Sequence, residues 1–324
     1  MQEKILLINP AYASTDIVYF PLGLGYVAGA CRNEGIEVEF IDANISSAKE
    51  IIDVIQRKDI SVVGIGGFLT QMRSTIFLTD IIKTNCKDVT VIIGGIQVFG
   101  CEQFIMENSK ADIICVGESE VILPNLVHIL HGDMDISGIY PIIYRHNGKI
   151  VKKGDFPVIM DLDEIGFPYY DIFPMEYYIN GNYHSAPGRR TIDFICSRGC
   201  PYVCNYCINS KKPIKMRYRS TQNIIDEIRF LKGKYSINDF SFGDEIFTIN
   251  IKKSLEICEA IKGENITWVT SVRADGLNDT MVSAMKEAGC RMLLIGFESG
   301  SERILKSMNK KTNLDTYSNS IKLS

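Results

Sequence analysis

At 324 residues, with 46% hydrophobic and 23% charged residues, the chain is longer than one ordinary domain and too apolar to stay disordered. A formal charge of −4 argues against broad nucleic-acid binding, and no run approaches the apolar length that spans a bilayer. The N-terminus, "MQEKILLINPAY", lacks the apolar core and small-residue cleavage site of a secretory signal, so a cytoplasmic protein is expected.

From residue 4 onward short apolar runs alternate with amphipathic stretches. "KILLINP", "VEFID", "SVVGIGG", "VTVIIGG" and "DIICVGES" are rich in Val and Ile and do not alternate, as strands covered on both faces do not. "PLGLGYVAGACRNEG", "AKEIIDVIQR" and later helical stretches separate them, so residues 1–135 predict a doubly wound parallel α/β sheet, a Rossmann-like domain of five β-α units. Such sheets bind ligands at the carboxyl ends of their strands, which here carry Asn9, Gly66, Gly94, Gly95, Gly117 and Glu118. No G-x-G-x-x-G follows the first strand, so a dinucleotide lacks support, and the glycine-ended edge suits a larger cofactor. Residues 136–190, rich in Pro and Tyr, break the rhythm and read as an extended linker packed along the second domain.

The rhythm resumes over residues 191–324. Strands "RTIDFIC", "DFSFGDEIF", "ITWVTSVRAD" and "RMLLIGFES" alternate with helices, which predicts a parallel β/α barrel whose functional residues sit where strands end. Those ends carry a cysteine loop, Asp244, Glu245, Arg273 and Glu298. The run "KKPIKMRYR" (211–219) reads as a solvated loop or helix end in preference to an RNA groove.

Six of the ten cysteines, Cys31, Cys86, Cys101, Cys115, Cys258 and Cys290, are scattered through apolar or helical stretches as small buried residues. The other four crowd into "CSRGCPYVCNYC" (196–207), which in a reducing compartment predicts a metal site before disulfides. A closed zinc site takes four ligands, commonly as two short pairs far apart. Cys200, Cys204 and Cys207, spaced C-x3-C-x2-C, instead suit a [4Fe-4S] cluster that leaves one iron open to an external ligand. Gly199 and Pro201 let the loop bend sharply, and Cys196, at the strand end, reads as a bystander, with a fourth ligand as the competing reading.

This spacing after a first barrel strand resembles the radical S-adenosylmethionine (SAM) superfamily. "RYRSTQNIIDEI", "FGDEIFT" and "GFESGSERIL", with "PLGLGYVAGACRNEG", "GGIQ", "GES" and "DLDEIGFP" upstream, look like the subfamily with an N-terminal cobalamin-binding domain, over nearly the whole chain. The resemblance implies that Cys200, Cys204 and Cys207 ligate the cluster and that SAM chelates the open iron through its amino and carboxylate groups. It places Tyr206 against the adenine, Asp244 and Glu245 near the SAM amino group, Arg273 at its carboxylate and Glu298 at its ribose. A rim salt bridge is the competing reading for Glu245 and Arg273. The chemistry implied is reductive cleavage of SAM to a 5′-deoxyadenosyl radical, then cobalamin-dependent methyl transfer to an unactivated carbon or phosphorus of a small molecule. Cyclisation or rearrangement is the alternative. A flavodoxin- or ferredoxin-like electron donor is implied as partner.

Two departures stand out. The D-x-H-x-x-G motif that gives cobalt a histidine is absent, and Ile96-Gln97 follow Gly94-Gly95 where relatives often have Pro-His. The family's partial (β/α)6 barrel has six strands and four are counted here, so the chain reads as truncated by on the order of fifty to sixty residues. A non-catalytic cobalamin or iron-sulfur remnant, or a zinc-binding fragment, is therefore a third reading. A tRNA methylthiotransferase would hold a second cluster on N-terminal cysteines, but Cys31, Cys86 and Cys101 fall on predicted helices or their starts.

Overall fold

The computed structural model describes residues 3–14, 18–132, 142–146, 149–154, 158–211 and 215–324. The chain divides into two compact units. One comprises Met1–Ile17, Pro21–Ile159 and Ile165–Pro174; the other comprises Val18–Phe20, Met160–Glu164 and Met175–Ser324.

In the first unit the expected strands form as β1 (Lys4–Asn9), β2 (Glu37–Asp42), β3 (Val62–Gly66), β4 (Thr90–Gly94) and β5 (Ile113–Cys115). Helices α1 (Leu22–Asn33), α2 (Ala48–Arg57), α3 (Met72–Asn85), α4 (Glu102–Asn108) and α5 (Leu123–His131) alternate with them. The five strands run parallel in the order β2-β1-β3-β4-β5, which puts the topological switch point between β1 and β3. Burial on both faces explains the unbroken apolar runs: Ile5, Leu6, Leu7 and Ile8 are fully shielded. Ser47 caps α2, accepting the Glu50 N–H while the Glu50 carboxylate accepts the Ser47 N–H.

The stretch 136–190 is more ordered than an extended connector. Where they are described, its residues supply β6 (Ile142–His146) and β7 (Lys149–Lys153), which extend the sheet antiparallel beyond β5, and α6 (Met175–Gly181) in the second unit. Ile142, Ile143 and Tyr144 are buried while Arg145 and His146 face outward, so apolar burial drives the first of these strands onto the sheet. Residues 136–141, 147–148 and 155–157 of the predicted linker lie outside the described residues, as do 212–214 of the basic run.

The second unit holds β8 (Thr191–Phe194), a short antiparallel pair β9 (Ser197–Arg198) and β10 (Arg217–Tyr218), then α7 (Thr221–Tyr235), β11 (Asp239–Phe242), α8 (Ile251–Ile261), β12 (Thr267–Val272), α9 (Asp279–Glu287), β13 (Cys290–Ile295), α10 (Glu302–Ser307) and α11 (Leu314–Leu323). Strands β13-β12-β11-β8 form one parallel sheet. Side-chain caps from Ser220, Asn250, Asn278 and Asn313 start α7, α8, α9 and α11. At the amino ends of the strands the buried Asp239 of β11 accepts from Thr191 of β8 (2.7 Å), Thr267 of β12 (2.6 Å) and Arg291 of β13 (2.7 and 2.9 Å). One carboxylate thereby joins all four strands. Among the described residues no helix is long and apolar enough to cross a membrane.

Asp193 of β8 accepts from the Phe20 N–H (2.7 Å) and from Asn182 Nδ2 (2.9 Å), with the Tyr19 phenol also facing it. Burial outweighs these donors and pushes its carboxyl up to about 7 from the ordinary 3.8. A carboxyl raised on folding favours the folded state while both states are protonated, and that contribution is lost as pH climbs through the folded value. The denaturant midpoint should therefore fall between about pH 4 and pH 7, by up to about 4 kcal/mol in stability, and the fall should flatten in Asp193→Asn. Urea titrations of both proteins across that range measure it.

Candidate functional site

The cysteine loop leaves β8 through a fixed neck. Cys196 is fully buried; its N–H donates to the Asp244 carboxylate (3.1 and 3.3 Å) and its carbonyl accepts from the Arg219 N–H (2.9 Å). The Ser197 hydroxyl also donates to Asp244, and Ser197-Arg198 pair with Tyr218-Arg217 across the neck. Behind it Arg219 forms a buried ion pair with Glu227 (2.5 Å) and donates to the Ile195 carbonyl (2.8 Å). Arg217 and Arg219 are thus interior, each 4% exposed, so the basic run is not the wholly solvated stretch expected from its charge. Burial lifts the Asp244 carboxyl to about 6 against the pull of its donors.

Beyond the neck Gly199 turns with φ of +101°, a left-handed conformation that favours glycine, and its N–H donates to Glu245 (3.2 Å). Cys200, Cys204 and Cys207 then line one cavity of about 560 Å³, together with Tyr206, Glu245, Arg273 and Glu298. Cys196 and Asp244 are not among its lining residues. The structure therefore separates the adjacent acids: Glu245 faces the cavity, while Asp244 holds the neck of the loop.

The donor set suits a cluster. Burial raises the Cys200 thiol above its ordinary value, a backbone hydrogen bond at Tyr202 opposes this, and Glu245 and the Cys207 and Cys204 sulfurs add to the rise, so the positive charge of a bound metal would favour the thiolate. Among the described residues no three His, Cys, Asp or Glu side chains are placed to hold a single ion. A polynuclear cluster makes no such demand, because each thiolate takes a different iron.

The rim is already wired. Arg273 grips Asp275 through two bonds of 2.9 Å and stacks 3.8 Å over the Tyr202 ring, so the rim salt bridge foreseen for it exists although it also lines the cavity. Glu298 adopts φ of +60° and accepts from Lys310 Nζ (2.9 Å), a hydrogen bond that, with the lysine's charge, holds its carboxyl below the usual range. Lys310, 6% exposed, also donates to the Tyr206 hydroxyl (3.0 Å). A Cβ at Gly296 would stand 2.9 Å from Glu298 Oε1 and 3.2 Å from Lys310 Nζ, so glycine leaves room for this pair. Lys310 was invisible to sequence reading: it sits in a polar stretch, "MNKKTN", and reaches the site only through the fold.

At the carboxyl edge of the first unit's sheet, Asn9 spends its side chain inward, donating to Asp42 (3.0 Å) and accepting from Gln71 (3.0 Å). Gly66-Gly67 and Gly94-Gly95 meet as bare backbone: a Cβ on Gly95, φ of +81°, would lie 2.8 Å from both the nitrogen and the oxygen of Gly67. Gln97 is buried and ties the Gly94 carbonyl (3.2 Å) to Thr75 (2.9 Å). Gly117 has φ of +103°, and Glu118 accepts from the Ile159 N–H (2.5 Å). The Ser119 hydroxyl, which would lie 3.6 Å from a Cβ on Gly94, is buried without a partner among the described residues. A glycine ledge with an unused hydroxyl beside the switch point fits a large ligand that brings its own acceptors. His128 and His131 contact Glu3 and Lys4 at the opposite end of β1. Cys31 is buried in α1 and Cys86 ends α3, while Cys101 precedes α4.

The B12 binding domain family matches residues 9–127 and the Radical SAM superfamily residues 194–324. An uncharacterized methyltransferase of Pyrococcus horikoshii, PH0819, is 34% identical over 95% of this chain and 68% of its own length. The anaerobic magnesium-protoporphyrin IX monomethyl ester cyclase of a Synechocystis species is 25% identical over 99% of this chain and 66% of its own. The radical SAM methyltransferase TsrM of Kitasatospora setae, solved with cobalamin and a [4Fe-4S] cluster bound, superposes with a TM-score of 0.78 at 18% identity, over 100% of this chain and 65% of that one. The chain thus spans about two thirds of the length of these relatives. Its two matched domains, in this order, and its likeness to PH0819 over nearly its full length show that the chain belongs to the radical SAM superfamily, in the subfamily that carries an N-terminal cobalamin-binding domain.

Proposed function

We propose that this chain carries the catalytic machinery of a cobalamin-dependent radical SAM methyltransferase acting on a small molecule. The observation that carries the reading is the convergence of Cys200, Cys204 and Cys207 with Glu245, Arg273 and Glu298 on one cavity while Cys196 is shut away. The three thiols would hold a [4Fe-4S] cluster, which when bound supplies the electron for reductive cleavage of SAM to a 5′-deoxyadenosyl radical.

This chain's residues bind and orient. Glu245 offers a carboxylate to an ammonium, and Arg273, already neutralised in part by Asp275, presents its remaining surface to a carboxylate. Tyr206, half exposed at the rim, offers a ring face to a base, and Glu298 an acceptor to a ribose hydroxyl. Asp244 acts one step removed, by fixing the loop through Cys196 and Ser197. In the first unit Gly66, Gly94, Gly95 and Gly117 would let a corrinoid approach the backbone, with Asn9 and Glu118 stiffening the edge. A histidine from this edge is not offered to cobalt among the described residues. A flavodoxin- or ferredoxin-like protein would donate the electron. Ten cysteines without a disulfide fit a reducing cytoplasm.

Cyclisation is the second reading, favoured by the likeness to the Synechocystis cyclase. Anaerobic reconstitution with iron, sulfide and hydroxocobalamin tests the proposal. The expected result is a [4Fe-4S] complement of iron, bound corrinoid, and 5′-deoxyadenosine formed from SAM on reduction. One zinc per chain and no SAM cleavage would sink it.

A further inference from the structure

The thiol loop is exposed for much of its course, with Val203 50% and Tyr206 48% accessible, yet one distant segment holds it. The Asn205 N–H donates to the Met308 carbonyl (3.0 Å), Asn205 Nδ2 to the Ser307 carbonyl (2.9 Å), and Asn309 Nδ2 to the Val203 carbonyl (3.0 Å). Lys310 Nζ adds its bond to the Tyr206 hydroxyl, and Arg273, itself stacked on Tyr202, donates to the Lys310 carbonyl (2.7 Å). Five bonds thus link the residues between Cys200 and Cys207, directly or through Arg273, to four residues about a hundred positions away.

That segment is itself rigid. It closes the carboxyl end of α10, where the Met308, Asn309 and Lys310 N–H groups return to Ile304, Lys306 and Leu305, and Asn309 takes the left-handed φ of +53°. Leu305, 1% exposed, anchors it in a small core with Ala274 and Tyr317. The loop's own bonds between Cys200 and Cys207 are sparser, as in Cys207 N–H to the Cys204 carbonyl (3.0 Å).

We propose that Ser307–Lys310 is a brace that presets the thiol loop in its metal-accepting shape before metal arrives, with Asn309 and Lys310 as positioning residues. Ordering a loop at the moment of binding weakens binding, so a loop held beforehand by bonds to a fixed turn keeps its iron longer. The metal-retention half of this inference rests on the cluster reading above; the presetting half does not.

Asn309→Gly is the sharpest probe, because glycine keeps the left-handed backbone while removing the amide. Asn205→Ala removes the bond from the other side. Hydrogen exchange on the iron-free full chain should quicken by about fivefold at residues 203–207 in either variant, matching one lost hydrogen bond, while the strands and the thermal midpoint stay unchanged. Reconstituted protein should lose iron to a chelator faster by a similar factor. Lys310→Met should shift the electron paramagnetic resonance spectrum of the reduced cluster with SAM, and Lys310→Arg should restore it. Unchanged exchange at 203–207 in both variants, or an equal rise throughout the strands, would overturn the brace. If the wild type takes up no iron at all, the cluster reading fails and the exchange result still decides the brace.

Discussion

On the proposed cluster, alanine at Cys200, Cys204 or Cys207 is expected to remove the cluster absorbance and to cut SAM cleavage by at least about 1000-fold, because each thiolate would hold its own iron and no other thiol is among the cavity-lining residues. Cys196→Ala should behave differently. Its sulfur is fully buried, and its peptide group, not its side chain, makes the bonds to Asp244 and Arg219. The cost should be a stability loss of about 1–2 kcal/mol from a small void, with iron content and turnover within about twofold of wild type. Iron and sulfide assays beside 5′-deoxyadenosine production on the four variants make the comparison. Equal loss in all four would mean that no iron is left open for SAM.

Gly95→Ala should be the most damaging single methyl group in the first unit. The residue has φ of +81° and ψ of −176°, a region that side chains scarcely enter, and the new Cβ would fall 2.8 Å from two backbone atoms of Gly67. Neither strand end can withdraw easily, since Gly66 and Gly94 pair in the sheet and the Gln97 N–H donates to the Gly67 carbonyl (3.2 Å). We expect a loss of about 3 kcal/mol or more and failure to retain hydroxocobalamin on gel filtration. Gly100→Ala serves as control, having φ of +71° but nothing within 4 Å of its Cβ; it should cost about 1–2 kcal/mol and leave retention intact.

Where local pattern and tertiary demand coincide, sequence was a good guide. The unbroken Val and Ile runs announced parallel strands because both faces of those strands are covered, and the cysteine spacing announced a shared cavity because Cys200, Cys204 and Cys207 stand close together in one stretch of chain. Antiparallel β6 and β7 leave only a faint trace in the sequence, because the Pro- and Tyr-rich composition around them reads as a connector. Asp244 and Glu245 looked like a pair, but neighbours at a strand end diverge, and one serves the loop's neck while the other meets the cavity. Lys310 could not be read at all, since nothing in the polar stretch "MNKKTN" tells which lysine will be buried against a carboxylate twelve positions back.

Asp239 fastens the four strands at the end away from the tips that line the cavity, where Thr191, Thr267 and Arg291 meet one carboxylate. Fastening at one end and chemistry at the other is a separation of duties. Loops at the tips can be rewritten by selection, for new substrates or a new outcome of the same radical, while the foundation beneath them goes untouched. Relatives named for methyl transfer and for ring closure give such a separation a use: the plumbing can change while the anchor bolts stay.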